Sequence, residues 1–257
     1  MQKQMKIGLV LSGGGARGVA HIGVIKALEE HNIFPTHISG TSAGAIVGAL
    51  YAHGTDWSEI LRFFKTAPLF DATRYARKKP GILDTEKYYA DFQEYLHHDD
   101  FSSLKKPLFI TATNVLDGTL KIFNKGELIR PVLASASFPG VFSPVNINGS
   151  YFIDGGTLNN FPVEPLKESC DRIIGSYVNP LKKINIQDLK HSYNVIERAY
   201  KIKSAHDSIT KFPDCDMVIS PEQLSDYATF DMGSIDEIFE IGYKGTIQAL
   251  EEPNTFE

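Results

Sequence analysis

Two glycine-rich turns within residues 6–54 constrain the fold more than anything else in the chain, because each is entered from a short aliphatic run and left by an apolar helical one. Lys6 to Leu11 is aliphatic with little alternation, the pattern of a strand buried on both faces of a parallel sheet. Ser12 to Gly18 form the first turn. Val19, Ile22, Val24, Ile25 and Leu28 then recur at helical spacing as far as His31, with Glu29 and Glu30 on the outer side. His37 to Gly40 is a second short strand, and Ala43 to His53 a second helix that ends at Gly54.

Downstream, Asp56 and Ser58 are placed to cap a third helix reaching about Thr66, and Thr85 to His98 predicts a fourth. Leu108 to Val115 and Leu120 to Phe123 are strands around an Asp117-Gly118 turn, followed by a helix over about 127–136. Val145 to Ile153 predicts a second hairpin around Asn148-Gly149 that delivers Asp154-Gly155-Gly156. Arg172 to Val178 and Asp216 to Ile219 are further strands flanking a long helical pattern from Asp188 to about Lys211, and Ser234 to Leu250 closes the chain as a helix. Strands alternating with helices predict an α/β sandwich with a mainly parallel sheet. No internal repeat or linker divides it, so one domain is expected over residues 1–257.

Composition removes several function classes. At 42% hydrophobic and 22% charged residues the chain has material for a large core and no disordered signature. A net charge of -5 repels nucleic acid. Cys170 and Cys215 alone supply neither a disulfide scaffold nor a zinc site, and no run approaches the ~20 apolar residues of a membrane span. The expectation is a cytoplasmic protein, peripheral to a membrane at most.

Gly40-Thr41-Ser42-Ala43-Gly44 matches G-x-S-x-G in the strand-to-helix context that motif needs. Small residues there let the chain turn sharply and hold the Ser42 hydroxyl clear of the sheet, with the next N–H and the helix N-terminus facing a reacting group. Gly13-Gly14-Gly15-Ala16-Arg17-Gly18 admits more than one role. Gly13, Gly15 and Gly18 satisfy the dinucleotide pattern G-x-G-x-x-G, yet residues 33–41 hold no carboxylate to bind a ribose. The alternatives are an oxyanion hole of unobstructed N–H groups, with Arg17 adding positive charge, or a loop without chemistry.

With these motifs the sequence resembles the patatin-like phospholipases, whose shared pattern is a G-G-G-x-R/K-G loop, a G-x-S-x-G turn and a D-G-G/A acid. The likeness extends through Gly18 to Val24, Ala134 to Gly140 and Asn159 to Pro162, covering about residues 7–166, with 170–257 left to complete the domain. It looks most like the bacterial members and the catalytic domain of neuropathy target esterase. The resemblance implies a three-layer sandwich and a lipid or lysolipid ester substrate. It further implies a Ser42–Asp154 dyad, a Gly13-Gly14-Gly15 oxyanion loop supported by Arg17, and a nucleophile turn shaped by Gly40 and Gly44. Neither cofactor nor metal is implied. A general esterase, thioesterase or acyltransferase would use the same serine, and a nucleotide-binding module the glycine loop alone.

A Ser-His-Asp hydrolase would place a histidine after the acid, and only His191 and His206 qualify, both in charge-rich helical sequence. His97-His98-Asp99-Asp100 has metal-like composition at a helix end, where a hydrated polar cluster is expected instead. Trp57, Ile60, Leu61, Phe63, Phe64, Leu69 and Phe70 precede Arg74, Arg77, Lys78 and Lys79. This 57–79 stretch suits either a helix packed on the core beside a solvated basic loop or an acyl pocket with transient contact to an anionic membrane.

Overall fold

The computed structural model describes residues 5–67 and 72–252. The described strands, β1 Ile7–Leu11, β2 His37–Gly40, β3 Leu108–Asn114, β4 Leu120–Phe123, β5 Val145–Ile147, β6 Ser150–Asp154, β7 Arg172–Ser176 and β8 Met217–Ile219, form one sheet in the order β5-β6-β3-β2-β1-β7-β8, with β4 also on β3. From β3 to β8 neighbouring strands on this path are parallel, and the antiparallel pairs are confined to β3-β4, β3-β6 and β5-β6. The sheet is mixed, with a parallel centre.

Register explains how distant motifs meet. Ile110 pairs with Gly40 on one side and Phe123 on the other, while Ala112 pairs with Asp154 and, across the strand, with Lys121. β2 and β6 therefore share one edge of β3 and run toward each other, so that their C-terminal ends come together two positions apart. The residue between, Thr111, closes the gap: its hydroxyl lies 2.6 Å from that of Thr41. A Cβ on Gly155 would stand 2.4 Å from the Thr111 carbonyl oxygen, so glycine is required where the chain leaves β6.

One face of the sheet carries the main core. Leu9, Leu11 and Ile38 point into it against α1 Ala20–Glu30, α2 Ala43–His53, α3 Trp57–Thr66, α4 Tyr89–Tyr95 and α5 Ile129–Ser135. Ile22, Ile25 and Leu28 of α1 are fully buried, each stabilising by about 1.5–3 kcal/mol. The opposite face is covered more thinly. Val10, Ile173 and Tyr177 pack there with Phe161, Val163 and Leu166, the last on the short α6 Glu164–Lys167. Two long helices remain: α7 Ser192–Ile209 and α8 Ile235–Glu251, which lies against α1. Among the described residues no helix is long and apolar enough to cross a membrane.

One expectation needs correction, and one left open between two readings gains detail. Thr85 to His98 is not one helix but a 3-10 turn, Thr85–Tyr88, leading into α4, which ends at Tyr95. The chain leaves the helix because Leu96 is fully buried and Asp99 is held at the N-terminus of α5, accepting from the N–H groups of Leu128 (2.9 Å) and Ile129 (2.6 Å). In the 57–79 stretch the apolar side chains of α3 turn inward, while Tyr75 is 57% exposed. Phe63 and Phe64 are buried, Ile60 is fully enclosed, and Trp57 stacks on Phe239; Leu69 and Phe70 lie outside the described residues. Of the basic residues, Arg74 pairs with Asp91, and Lys79 with Asp84 (2.8 Å) and Glu86 (2.9 Å). The rings of Trp57, Phe63 and Phe64 fix α3 to the core.

Candidate active site

Ser42 sits where β2 turns into α2, with φ 54 and ψ -124, a backbone region costing about 1–3 kcal/mol for a residue with a Cβ. The surrounding glycines are imposed by close approach. A Cβ on Gly44 would lie 2.3 Å from the Leu11 carbonyl oxygen, and one on Gly40 would lie 2.5 Å from that of Gly44. The turn is tied down from a third element, since the Ser42 N–H donates to Ser135 Oγ at 2.8 Å.

Asp154 ends β6 with its side chain buried. Its Oδ1 accepts from the Gly156 N–H at 2.7 Å, and the Ser42 hydroxyl stands near enough to the carboxylate to favour its charged form. Burial raises its pKa from 3.8 to about 6, a rise that Ser42 and the Gly156 N–H only partly offset. The segment after α5 grips both residues: Ser135 takes the Ser42 amide, while the Ser137 carbonyl accepts the Asp154 N–H at 3.0 Å. The Ser135-Ala136-Ser137 run thus fixes the backbone of each partner.

The glycine loop lies beside them. The Gly13 N–H is engaged by the Asn160 carbonyl at 3.1 Å, whereas those of Gly14 and Gly15 have no partner among the described residues. Their carbonyl sides are pinned. Asn179 Nδ2 donates to the Gly13 oxygen and Arg17 Nε to the Gly14 oxygen, the latter at 3.3 Å. Because C=O and N–H point oppositely across a trans peptide, the Gly14 and Gly15 N–H groups face away from those side chains. Arg17 itself is buried, and desolvation lowers its pKa from 12.5 to about 10.

The glycines of the dinucleotide pattern are explained by protein rather than by a pyrophosphate. A Cβ on Gly13 would meet Asn160 Oδ1 at 2.4 Å, on Gly15 the Thr229 carbonyl at 2.1 Å, and on Gly18 the Ala43 Cβ at 2.4 Å. Behind the loop, His21 is fully buried between Ser176 Oγ (2.7 Å) and the Ser12 carbonyl (2.8 Å). Burial lowers its pKa to about 4. The neutral ring therefore donates from Nε2 to Ser12 and accepts at Nδ1 from Ser176.

Ser42, Asp154, Gly14, Gly15 and Arg17 all line one cavity of about 300 Å³. Its apolar wall includes Ile46, Phe64, Phe92, Leu133, Phe142 and Met232; its other side carries Lys182, Asp188, Glu197, Arg198 and Lys201. Phe64 is thus the one described aromatic of the 57–70 stretch that reaches the cavity. Among the described residues no histidine lines it, and His191 and His206 are exposed on and beside α7.

Three neighbours were not singled out by sequence: Asn179 after β7, Tyr200 on α7 and Thr229 before α8. Tyr200 is near enough that desolvation, and then the Asp154 charge, raise its phenol pKa. Only Asn179 had a usable signal, being a polar residue just beyond the carboxyl end of a parallel strand, where ligand sites gather in open α/β sheets.

A family model described as Patatin-like phospholipase matches residues 9–167. Among curated proteins, the chain is 29% identical over 272 residues to a protein named Lysophospholipase NTE1 from Candida albicans, covering 93% of this chain and 19% of that one. It is 36% identical over 179 residues to the protein of that name from Cryptococcus neoformans, covering 66% of this chain and 11% of that one. The chain spans about a fifth or less of the length of these relatives. Among solved structures, VipD from Legionella pneumophila superposes with a TM-score of 0.59 at 18% identity, over 97% of this chain and 67% of that one. The type III effector protein ExoU gives 0.51 at 17% identity, over 99% and 54%. These two likenesses carry the fold alone.

Proposed function

Because the chain belongs to the patatin-like phospholipase family, we propose that it hydrolyses carboxylic esters of phospholipids or lysophospholipids through a seryl acyl-enzyme. The observation carrying this reading is the Ser42 side chain, held on a strained turn, lining the same largely apolar cavity as the buried Asp154 carboxylate, whose charged form it favours. A serine hydroxyl is a weak nucleophile until a base removes its proton. In the proposed step Asp154 takes that proton as Ser42 Oγ bonds to the ester carbonyl carbon. The carbonyl oxygen becomes an oxyanion facing the Gly14 and Gly15 N–H groups, with Arg17 and Asn179 holding that loop in orientation. The Gly13 N–H, already bonded to Asn160, has no part.

Collapse of the tetrahedral intermediate breaks the bond to the leaving alcohol, which receives the proton from Asp154. Water then attacks the acyl-serine by the same route. A base with a pKa near 6 is ionised at neutral pH yet strong enough to return the proton to an alkoxide, and proton transfer of this kind typically contributes about 10²–10⁴-fold. The apolar wall suits an acyl chain and the charged side a polar headgroup, in keeping with the lysophospholipase name of the relatives.

The test is fatty-acid release from lysophosphatidylcholine by the purified chain and by Ser42→Ala. Loss of release with an unchanged thermal transition is expected; retained release in the variant overturns the serine mechanism. Release from short soluble esters or thioesters in preference to lipid would move the reading to a general esterase.

A further inference from the structure

Helix α7 turns several charged residues inward and several apolar ones outward, the outer side also carrying the paired Lys203 and Asp207. Asn194, Glu197, Arg198, Lys201 and Ser204 face inward and line the cavity. Val195, Ile196, Ile202 and Ile209 are 51%, 68%, 47% and 50% exposed. At about 100° per residue the two sets occupy opposite halves of the helix. Single exposed apolar side chains are ordinary, but here they share one face, and Ile186 in the turn before the helix is 76% exposed. The charge is local as well. Residues 181–211 hold seven Lys or Arg against three Asp or Glu, a balance of +4 within a chain of -5. Lys183 and Lys190 are exposed and make no ion pair among the described residues.

We propose that the outer face of α7 docks the protein on an anionic lipid bilayer. An interfacial helix needs an apolar face that enters the boundary between headgroup and acyl chain, and basic side chains that meet anionic headgroups; this segment has both. The choice of a lipid surface over another occupant rests on the hydrolase reading and on continuity: the inner face of the same helix lines the cavity, so docking brings the cavity beside the bilayer that supplies its substrate. Membrane contact is thereby assigned to α7 rather than to residues 57–79, where Phe63 and Phe64 are buried and Trp57 stacks on Phe239.

The test separates docking from turnover. Ser42→Ala protein, which leaves vesicles intact under the hydrolase reading, is sedimented with phosphatidylcholine vesicles and with mixed phosphatidylcholine–phosphatidylglycerol vesicles. Binding is expected to favour the mixed vesicles and to fall with added salt, and Ile196→Glu with Ile202→Glu in that background should weaken it by about tenfold or more. Lys183→Glu with Lys190→Glu should weaken it in the mixed vesicles alone. These residues are exposed, so the thermal transition should stay in place. Undiminished binding of the isoleucine variant, or equal binding to both vesicle types, overturns the proposal. So does a wild-type dimer that this variant dissociates without a change in vesicle binding, which would make the face a contact between copies. If the chain with Ser42 intact hydrolyses no ester, the hydrolase reading fails separately, and the sedimentation result still decides docking.

Discussion

Replacing Asp154 by asparagine is expected to make the protein more stable at neutral pH while removing its activity. The carboxyl is buried and its pKa stands at about 6 rather than the usual 3.8. Between those values the folded state keeps a proton that the unfolded chain has released, so stability falls as pH rises through the window. At ~1.4 kcal/mol per decade the full loss is about 3 kcal/mol, complete above about pH 7. Asparagine is neutral throughout. Its oxygen can still accept from the Gly156 N–H, and its amide can donate to Ser42 Oγ, so no buried polar group is orphaned. Urea unfolding of both proteins should therefore give a variant more stable by up to about 3 kcal/mol near pH 8, about half that at pH 5, and little advantage at pH 4. The His21 contribution cancels because both proteins contain it. A variant less stable than wild type at pH 8, or a difference independent of pH, would refute the reasoning that burial raises this carboxyl.

Other expectations follow from the same geometry. Turnover should rise with pH through about 6 and then level, because the base acts when ionised; a profile flat from pH 5 to 8 argues against Asp154 in that role. His21, whose folded pKa lies near 4, should cost the protein stability as pH falls from 6.5, by about 3 kcal/mol once both states are considered; His21→Asn should flatten that acid limb of the urea-unfolding curve, whatever it does at pH 8. Gly44→Ala places a methyl group against the backbone of β1 and should destabilise by at least about 2 kcal/mol, whereas an alanine at Gly118, whose Cβ meets nothing within 4 Å, should show only the smaller strain of its positive φ; comparable unfolding midpoints for the two would contradict the close-approach account. Ser135→Ala leaves the Ser42 N–H without its partner and should cost about 1–3 kcal/mol together with a fall in kcat, measurable by unfolding and by soluble-ester turnover.

The parts of this fold legible in sequence are those set by local pattern. β1 and β2 are short and aliphatic, α1 and α2 announce themselves by spacing and by the stop at Gly54, and both hairpins carry their turn residues. Ser42 and Asp154 were identifiable because each sits in a short motif with strict backbone demands. What brings them together was not visible: it depends on β2 and β6 converging on one edge of β3, a matter of register across residues far apart in the chain. The same holds for Asn179, Tyr200 and Thr229, which reach the site only through the parallel pairing of β7 with β1 and the packing of α7 and the 227–232 segment over the loop. The 57–66 helix was legible as a helix but not as to its partner. Its amphipathic pattern was plain, but nothing in a single helix tells whether its apolar side faces a core or a lipid. The contacts of Trp57 with Phe239, and of Phe63 with Phe92 and Tyr95, decide for the core.

The Ser42–Asp154 pair is tested most directly by mapping a fluorophosphonate adduct. The intact protein is treated with the probe across pH, digested, and the modified residue located by mass. A single adduct on Ser42 is predicted, forming faster as pH rises through about 6, and slowed by about 10²-fold or more in Asp154→Asn. An adduct on another residue, or labelling of Ser42 at an undiminished rate in Asp154→Asn, would contradict the dyad.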